Sequence, residues 1–383
     1  MDRRKFFRIA SATGAGLAAG TLMGKPLATV MPQNQQQAKP ATNAEEALKI
    51  PRTASSMPGR YPAKVVKATN THSVVNDTPV EPVAYEMLAK SMLLLTGETD
   101  LTAAWRQFVG PNEVIGLKVN PIGEALLSTS HAVVKSVIKQ MEEAGIPRKN
   151  IVIWDRRGEQ LKEAGFTPEN YPGINISSTE YKENDSYYGM DGKLLSEHRI
   201  DKEVYYWADC EQSYDAYTLP FMVNEGKYSY FSKICTQELD KIINIPIMKN
   251  AGTAVTLCLK NLAFGSITNT SRLHSRLWHE TCANVCAFPP LRDKVVLNIA
   301  DGLRGCYDGG PGANPQFICQ YHTLLVGTDA VAVDRIGHEI IIGRRIAEGR
   351  QPEDTPAGLV KLMLAQEYGL GTADREKIQL LTV

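Results

Sequence analysis

The sequence has no net charge. Its 42 Lys and Arg are matched by 42 Asp and Glu across 383 residues, and no long basic run breaks the balance. A protein whose main task is gripping a phosphate backbone concentrates positive charge, so nucleic acid is not an expected partner. C-x-x-C is missing despite seven cysteines, and with it go ferredoxin-type iron–sulfur cluster runs and zinc ribbons. Neither G-x-x-x-x-G-K-[ST] nor G-x-G-x-x-G occurs, so neither nucleotide cradle is encoded. No apolar run approaches the ~20 residues of a stable membrane span, and none is expected after processing of the leader. What is present, 43% hydrophobic and 22% charged residues, suits a globular chain with a sizeable core.

The first thirty residues differ from the rest. Arg3-Arg4-Lys5-Phe6-Phe7-Arg8 precedes a mild Ala- and Gly-rich stretch from Ile9 to Met23, the pattern of a bacterial twin-arginine signal. A basic start to a Sec signal or a loose helix is the alternative. The signal implies the twin-arginine translocase as a partner during export and a periplasmic or extracytoplasmic destination. Residues 1–30 are therefore read as the signal, 31–58 as a Gln-, Pro- and Ala-rich flexible linker, and 59–383 as one domain. This leader carries five cations against Asp2, so the processed chain would hold about four net negative charges. The odd cysteine count leaves at least one thiol unpaired.

From Tyr61 on, strand-length apolar runs alternate with helical patterns. Strands are expected at Ala63 to Ala68, Val114 to Val119 and Ile151 to Trp154, with helices at Pro82 to Leu95 and His131 to Ala144. That order predicts an α/β fold, a mainly parallel sheet flanked by helices. Residues 180 to 230 interrupt it with nine tyrosines, read as an insertion with antiparallel strands. Alternation resumes with a strand at Lys241 to Ile247, helices at Thr253 to Leu262 and Thr270 to Val285, and a strand at Lys294 to Ala300. Thr323 to Val326 is read as a strand, Thr328 as the cap of a helix through Ile342, Leu359 to Tyr368 as a helix and Ile378 to Val383 as an edge strand.

Ligands of such sheets sit beyond the carboxyl ends of the strands. The polar residues there are Lys118 and Asn120, Asp155, Lys249 and Asn250, Asp301, and Thr328 with Asp329. Gly252 and Thr253 are expected to open a helix carrying Thr256, Lys260 and Asn261, so Lys118, Lys249, Lys260 and free helix amides would hold a carboxylate or phosphate. The aspartates are equally at home as turn and capping residues. His274 is the candidate proton shuttle, with Asp301 and Asp329 orienting a lysine or a metal. His279, Cys282 and Cys286, at i, i+3 and i+7, would suit a soft transition metal if the helix held them together; otherwise they are core residues. The glycine-rich stretch from Asp301 to Gly312 is read as a loop, either closing over a ligand or simply turning at the surface.

Several of these segments together resemble the domain of unknown function 362 family. They include Val114-Ile115-Gly116-Leu117-Lys118-Val119-Asn120-Pro121, Ile243-Asn244-Ile245-Pro246-Ile247-Met248-Lys249, Val255-Thr256-Leu257-Cys258-Leu259-Lys260-Asn261-Leu262, and Gly327-Thr328-Asp329-Ala330-Val331-Ala332-Val333-Asp334. The chain departs from the family's usual Lys-Pro-Asn by reading Lys118-Val119-Asn120, and it lacks the ferredoxin module of some relatives. The leading expectation is an exported protein that binds a small anionic substrate or cofactor at the strand-end rim, with or without a metal. The alternative is a non-catalytic carrier or maturation protein serving a periplasmic partner.

Overall fold

A computed structural model describes residues 39–211, 226–251, 254–350 and 355–383. Its strands are β1 (Lys64–Thr69), β2 (Val74–Val75), β3 (Thr78–Pro79), β4 (Ile115–Lys118), β5 (Ile151–Arg157), β6 (Asn175–Glu180), β7 (Ile200–Trp207), β8 (Tyr228–Ser232), β9 (Lys241–Asn244), β10 (Ile247–Ala251), β11 (Ala254–Thr256), β12 (Val295–Cys306), β13 (Ile318–Gly327) and β14 (Gln379–Thr382). The main sheet runs in the order β14-β1-β13-β12-β9-β4-β5-β6. Every strand in that order points the same way except β13, which is antiparallel to both of its neighbours. The chain is an α/β protein built on a mainly parallel sheet.

Both faces of the sheet are covered, which is why its strands read as continuous apolar runs rather than alternating ones. On one face Ile115, Leu117, Ile153 and Ile243 meet Val133, Val137 and Met141 of helix His131–Glu143. On the other, Trp154, Ile242 and Ala300 pack with Leu259 and Leu262 of helix Cys258–Ser266. Helix His131–Glu143 forms where its sequence says it should. Ser130 Oγ accepts a hydrogen bond from the amide of Val133, and Gly145, at φ 82°, supplies the left-handed residue that turns the chain away.

Several boundaries differ from the sequence expectation. The run Lys241 to Ile247 divides into β9 and β10 around Pro246, which has no N–H for the ladder. β10 instead extends along β12, which runs past Asp301 to Cys306, so Asp301 lies inside a strand and not at its end. Ala254–Thr256 is a strand paired back on β10, and the helix begins only at Cys258. Thr256 and Lys260 therefore do not share a helical face. Gly252 and Thr253, read as anion-binding helix amides, lie outside the described residues. The actual helix start is occupied: Asp334 accepts hydrogen bonds from the amides of Cys258 and Leu259 at 2.6 and 3.1 Å.

The stretch Thr270 to Val285 breaks at Leu277 into Ser271–Arg276 and Trp278–Cys286. Part of the segment read as linker is packed instead. Ala44–Lys49 is helical with Ala44 and Ala47 buried, Met57 is buried, and Arg292 donates to the carbonyls of Ala47, Ile50 and Pro51. The tyrosine-rich insertion holds the antiparallel pair β7 and β8, where Tyr205 lies against Tyr228 and Tyr230. Tyr214 and Tyr217 lie outside the described residues. All seven cysteines are buried free thiols. Among the described residues no helix is long and apolar enough to cross a membrane.

Candidate functional site

Three lysines from three different segments converge where β4 and β9 end. Lys118 is the last residue of β4, Lys249 lies in β10, and Lys260 is in the first turns of helix Cys258–Ser266. Lys249 and Lys260 line one cavity of about 80 Å³, together with Asn120, Asp155, Arg156, Thr256, Asn261, Phe264, Gly265 and His274.

Lys118 is fully buried and its ammonium is fully engaged. It pairs with Asp155 and donates to Val119 O at 2.8 Å and to Asn261 Oδ1 at 3.2 Å. The amide of Asn261 passes the network on to Asn244 Oδ1 at 2.8 Å, and Asn244 to Asn298 Oδ1 at 2.9 Å. Gly265 makes room for the ion pair. A Cβ there would stand 2.3 Å from Lys118 Cε and 3.2 Å from Asp155 Oδ1. Burial pulls the Lys118 pKa down, and Asp155 opposes that pull.

Lys249 is just as buried but among the described residues meets only neutral oxygens, Asn120 Oδ1 at 3.1 Å and Ile122 O at 2.5 Å. Burial, and then the charge of Lys260, lower its pKa from 10.5 to about 7. Lys260 has no hydrogen bond or ion pair among the described residues. Its ammonium lies 4.4 Å from the ring centre of Trp278 and 5.7 Å from that of Phe264, contacts that attract a cation without neutralising it. Burial lowers its pKa to about 8. Thr256 Oγ1, on the strand facing Lys249, is buried without a hydrogen-bond partner among the described residues.

His274 joins the cavity from helix Ser271–Arg276. Its Nδ1 lies 2.9 Å from Thr270 O, which fixes Nδ1 as the donor and leaves Nε2 unprotonated in the neutral ring. Burial, and secondarily Lys260, lower its pKa to about 4. Arg156 adds a third cationic side chain, and it is held by hydrogen bonds to Phe264 O and Thr270 Oγ1. It also lies 3.6 Å from Glu180.

Of the residues singled out from sequence, Lys118, Asn120, Lys249, Thr256, Lys260, Asn261 and His274 come together here. Asp301 and Asp329 do not. Asp301 accepts hydrogen bonds from the amides of Ser130 and Leu303 at 2.7 and 3.0 Å, beside a different cavity of about 400 Å³. In that larger cavity His131 is also engaged, by Tyr171 and by Ala164 O. Asp329 caps helix Ala330–Ala347 through Ala332 and binds the amides of Ala63 and Thr372. Thr328, expected as that cap, accepts from Tyr61 N instead.

The metal reading of His279, Cys282 and Cys286 is corrected. No three His, Cys, Asp or Glu side chains are grouped to hold a metal ion among the described residues. Cys282 donates to Trp278 O and Cys286 to Leu259 O, so each thiol is turned onto backbone. Burial raises the Cys282 pKa to about 11 and that of Cys286 well above its ordinary value, which favours the thiol over the ligating thiolate. Arg156, Phe264, Trp278 and Asn244 were not singled out beforehand. They lie one to five residues from residues that were; folding brings Arg156 and Phe264 to the cavity, Trp278 against Lys260 and Asn244 into the Asn261 network.

A mainly parallel α/β sheet with a cation-lined cavity past its strand ends is the class of protein that this fold and site define. The family model described as Domain of unknown function (DUF362) matches residues 115–339, more than half of the chain, and the chain belongs to that family. It is also similar, at 12% identity and a TM-score of 0.33, to a crystal structure of a Thermotoga maritima protein from a structural genomics consortium. That match covers 72% of this chain, and the chain spans 60% of the length of that protein. No curated protein matches it.

Proposed function

We propose that the chain binds a small anion, a carboxylate or a phosphate, in the cavity between Lys249 and Lys260. The observation that carries this reading is the charge imbalance. Asp155 is spent on Lys118, while Lys249 and Lys260 face the same space with no carboxylate of their own among the described residues. A buried cation without a counter-charge is costly and is relieved either by losing its proton or by gaining an anion. The unpartnered Thr256 hydroxyl offers a hydrogen bond to the same ligand. His274, neutral at physiological pH with Nε2 unprotonated, supports a role in accepting a proton from it.

The test is calorimetric titration of the full chain with inorganic phosphate and with lactate at pH 6.5 and pH 9. An anion that pairs with ammonium groups binds the protonated site, so affinity is expected to fall by about tenfold or more across that interval, with proton uptake between about 7 and 8. Binding that ignores pH, or that survives Lys260→Met unchanged, overturns the reading. The proposal includes export. Arg3-Arg4 ahead of Phe6-Phe7 supports the twin-arginine route, and a twin-lysine leader that still delivers the protein across the membrane would refute it.

A further inference from the structure

The three buried lysines of this site differ in what their nitrogens are given to bind. An ammonium carries three N–H groups, and Lys118 finds three acceptors for them in Asp155, Asn261 Oδ1 and Val119 O. Lys249 finds two among the described residues, both neutral: Asn120 Oδ1 and Ile122 O. The third tetrahedral position of its nitrogen has no acceptor among the described residues and is open to the cavity, as an N–H in the ammonium and as a lone pair once the proton is lost. The side chain bearing it lines the cavity that Lys260, Thr256 and His274 share.

From this geometry we infer that Lys249 forms an imine with the carbonyl of a small 2-oxo acid whose carboxylate is held by Lys260. The inference rests on the anion-binding reading above and adds the covalent step to it. Lys260 serves as the carboxylate partner because its ammonium lies over two rings and has no acceptor of its own among the described residues. The buried Thr256 hydroxyl, also without a partner, supplies a hydrogen bond to a ligand oxygen. The cavity of about 80 Å³ has room for several water-sized spheres at about 10–15 Å³ each. A small acid such as glyoxylate or pyruvate suits a space of that size.

The step balances without an external oxidant or reductant. The Lys249 Nζ lone pair attacks the carbonyl carbon, and the C=O pair moves onto oxygen. That oxygen takes one proton from the nitrogen and one from the medium and leaves as water. The nitrogen retains one hydrogen and the positive charge as an iminium. The environment suits such an amine, since burial and the neighbouring Lys260 charge lower its pKa to about 7. Exposed lysines remain protonated there, with only about one in a thousand or fewer neutral at pH 7.

The full chain is incubated at pH 7 with pyruvate and cyanoborohydride, and the sites left with an Nε-carboxyethyl group are mapped by peptide mass spectrometry. Lactate, which has the carboxylate but no carbonyl, is titrated separately. Labelling of Lys249 about 100-fold faster than of exposed lysines is expected, slowed by excess lactate. Lys260→Met, which leaves Lys249 in place, is expected to need about tenfold more pyruvate for the same labelling. If lactate binds while Lys249 stays unlabelled, the imine is refuted and the anion site stands. If neither lactate nor phosphate binds and Lys249 stays unlabelled, both fail. Labelling confined to exposed lysines also overturns the inference.

Discussion

Lys118 and the Lys249–Lys260 pair are buried to a similar degree at the same end of the sheet, yet they solve the cost of burial in opposite ways. Lys118 carries its counter-charge with it. Asp155 comes from the adjacent parallel strand, one residue past the Trp154 that pairs with Lys118, and a chain of asparagines continues the network beneath helix Cys258–Ser266. Among the described residues Lys249 and Lys260 have only carbonyl or amide oxygens and aromatic rings. On the proposed function, the contrast separates a polar group that completes the fold from one left open to a ligand. Unpaired buried cations tax stability and persist where they serve chemistry.

The contrast is broken most severely by removing Lys118. Lys118→Met leaves Asp155 buried without its partner and is expected to destabilise the chain by about 3–5 kcal/mol in denaturant unfolding. A second substitution, Asp155→Leu, should recover much of that loss, because removing both charges removes the desolvation cost as well. Gly265→Ala comes next. Its methyl group would overlap the Lys118 side chain, and a loss of about 1–3 kcal/mol is expected by the same measurement.

Lys260→Met should act with the opposite sign. Taking away an unpaired buried ammonium while keeping contact with Trp278 is expected to stabilise the ligand-free protein by about 1–2 kcal/mol at pH 6. If Lys260→Met instead destabilised the chain as Lys118→Met does, the two regions would not differ in the way described.

The last effect is a slope. The folded pKa values of Lys249 and Lys260, about 7 and 8, lie below their unfolded value of 10.5. Between about pH 7 and 10.5 the unfolded chain therefore binds more protons. Stability should rise with pH across that window and level off below it, where both states are protonated. Saturating anion should flatten the slope by restoring the protons to the folded state. Lys260→Met should halve it, while Arg3 and Arg4 substitutions should leave it untouched.

Much of the fold could be read because burial on both faces leaves a direct imprint on sequence. Apolar runs such as Ile151 to Trp154 can only be covered strands, and Ser130 and Gly145 bracket one helix by capping chemistry alone. The errors share a cause. Pro246 divides a run that hydropathy joins, and Ala254–Thr256 reads as helix by composition yet pairs with β10 because Lys249 and Thr256 stand opposite each other in a ladder. Helical spacing drew His279, Cys282 and Cys286 together, but hydrogen bonds to backbone took up both thiols.

The sequence alone determined the kinds of side chain available, a mainly parallel sheet to carry them, and the strand ends at which lysines and asparagines emerge, since all of these follow from local periodicity and from the rule that ligands sit beyond parallel strands. Tertiary structure decided which aspartate meets which lysine. Asp155 reached Lys118, Asp334 was spent on a helix start, Asp301 on the Ser130 and Leu303 amides and Asp329 on the amides of Ala63, Ala332 and Thr372. Lys249 and Lys260 were left without one among the described residues. A net charge of zero conceals that outcome, because electrostatic energy depends on distance and burial, neither of which exists until the chain has folded.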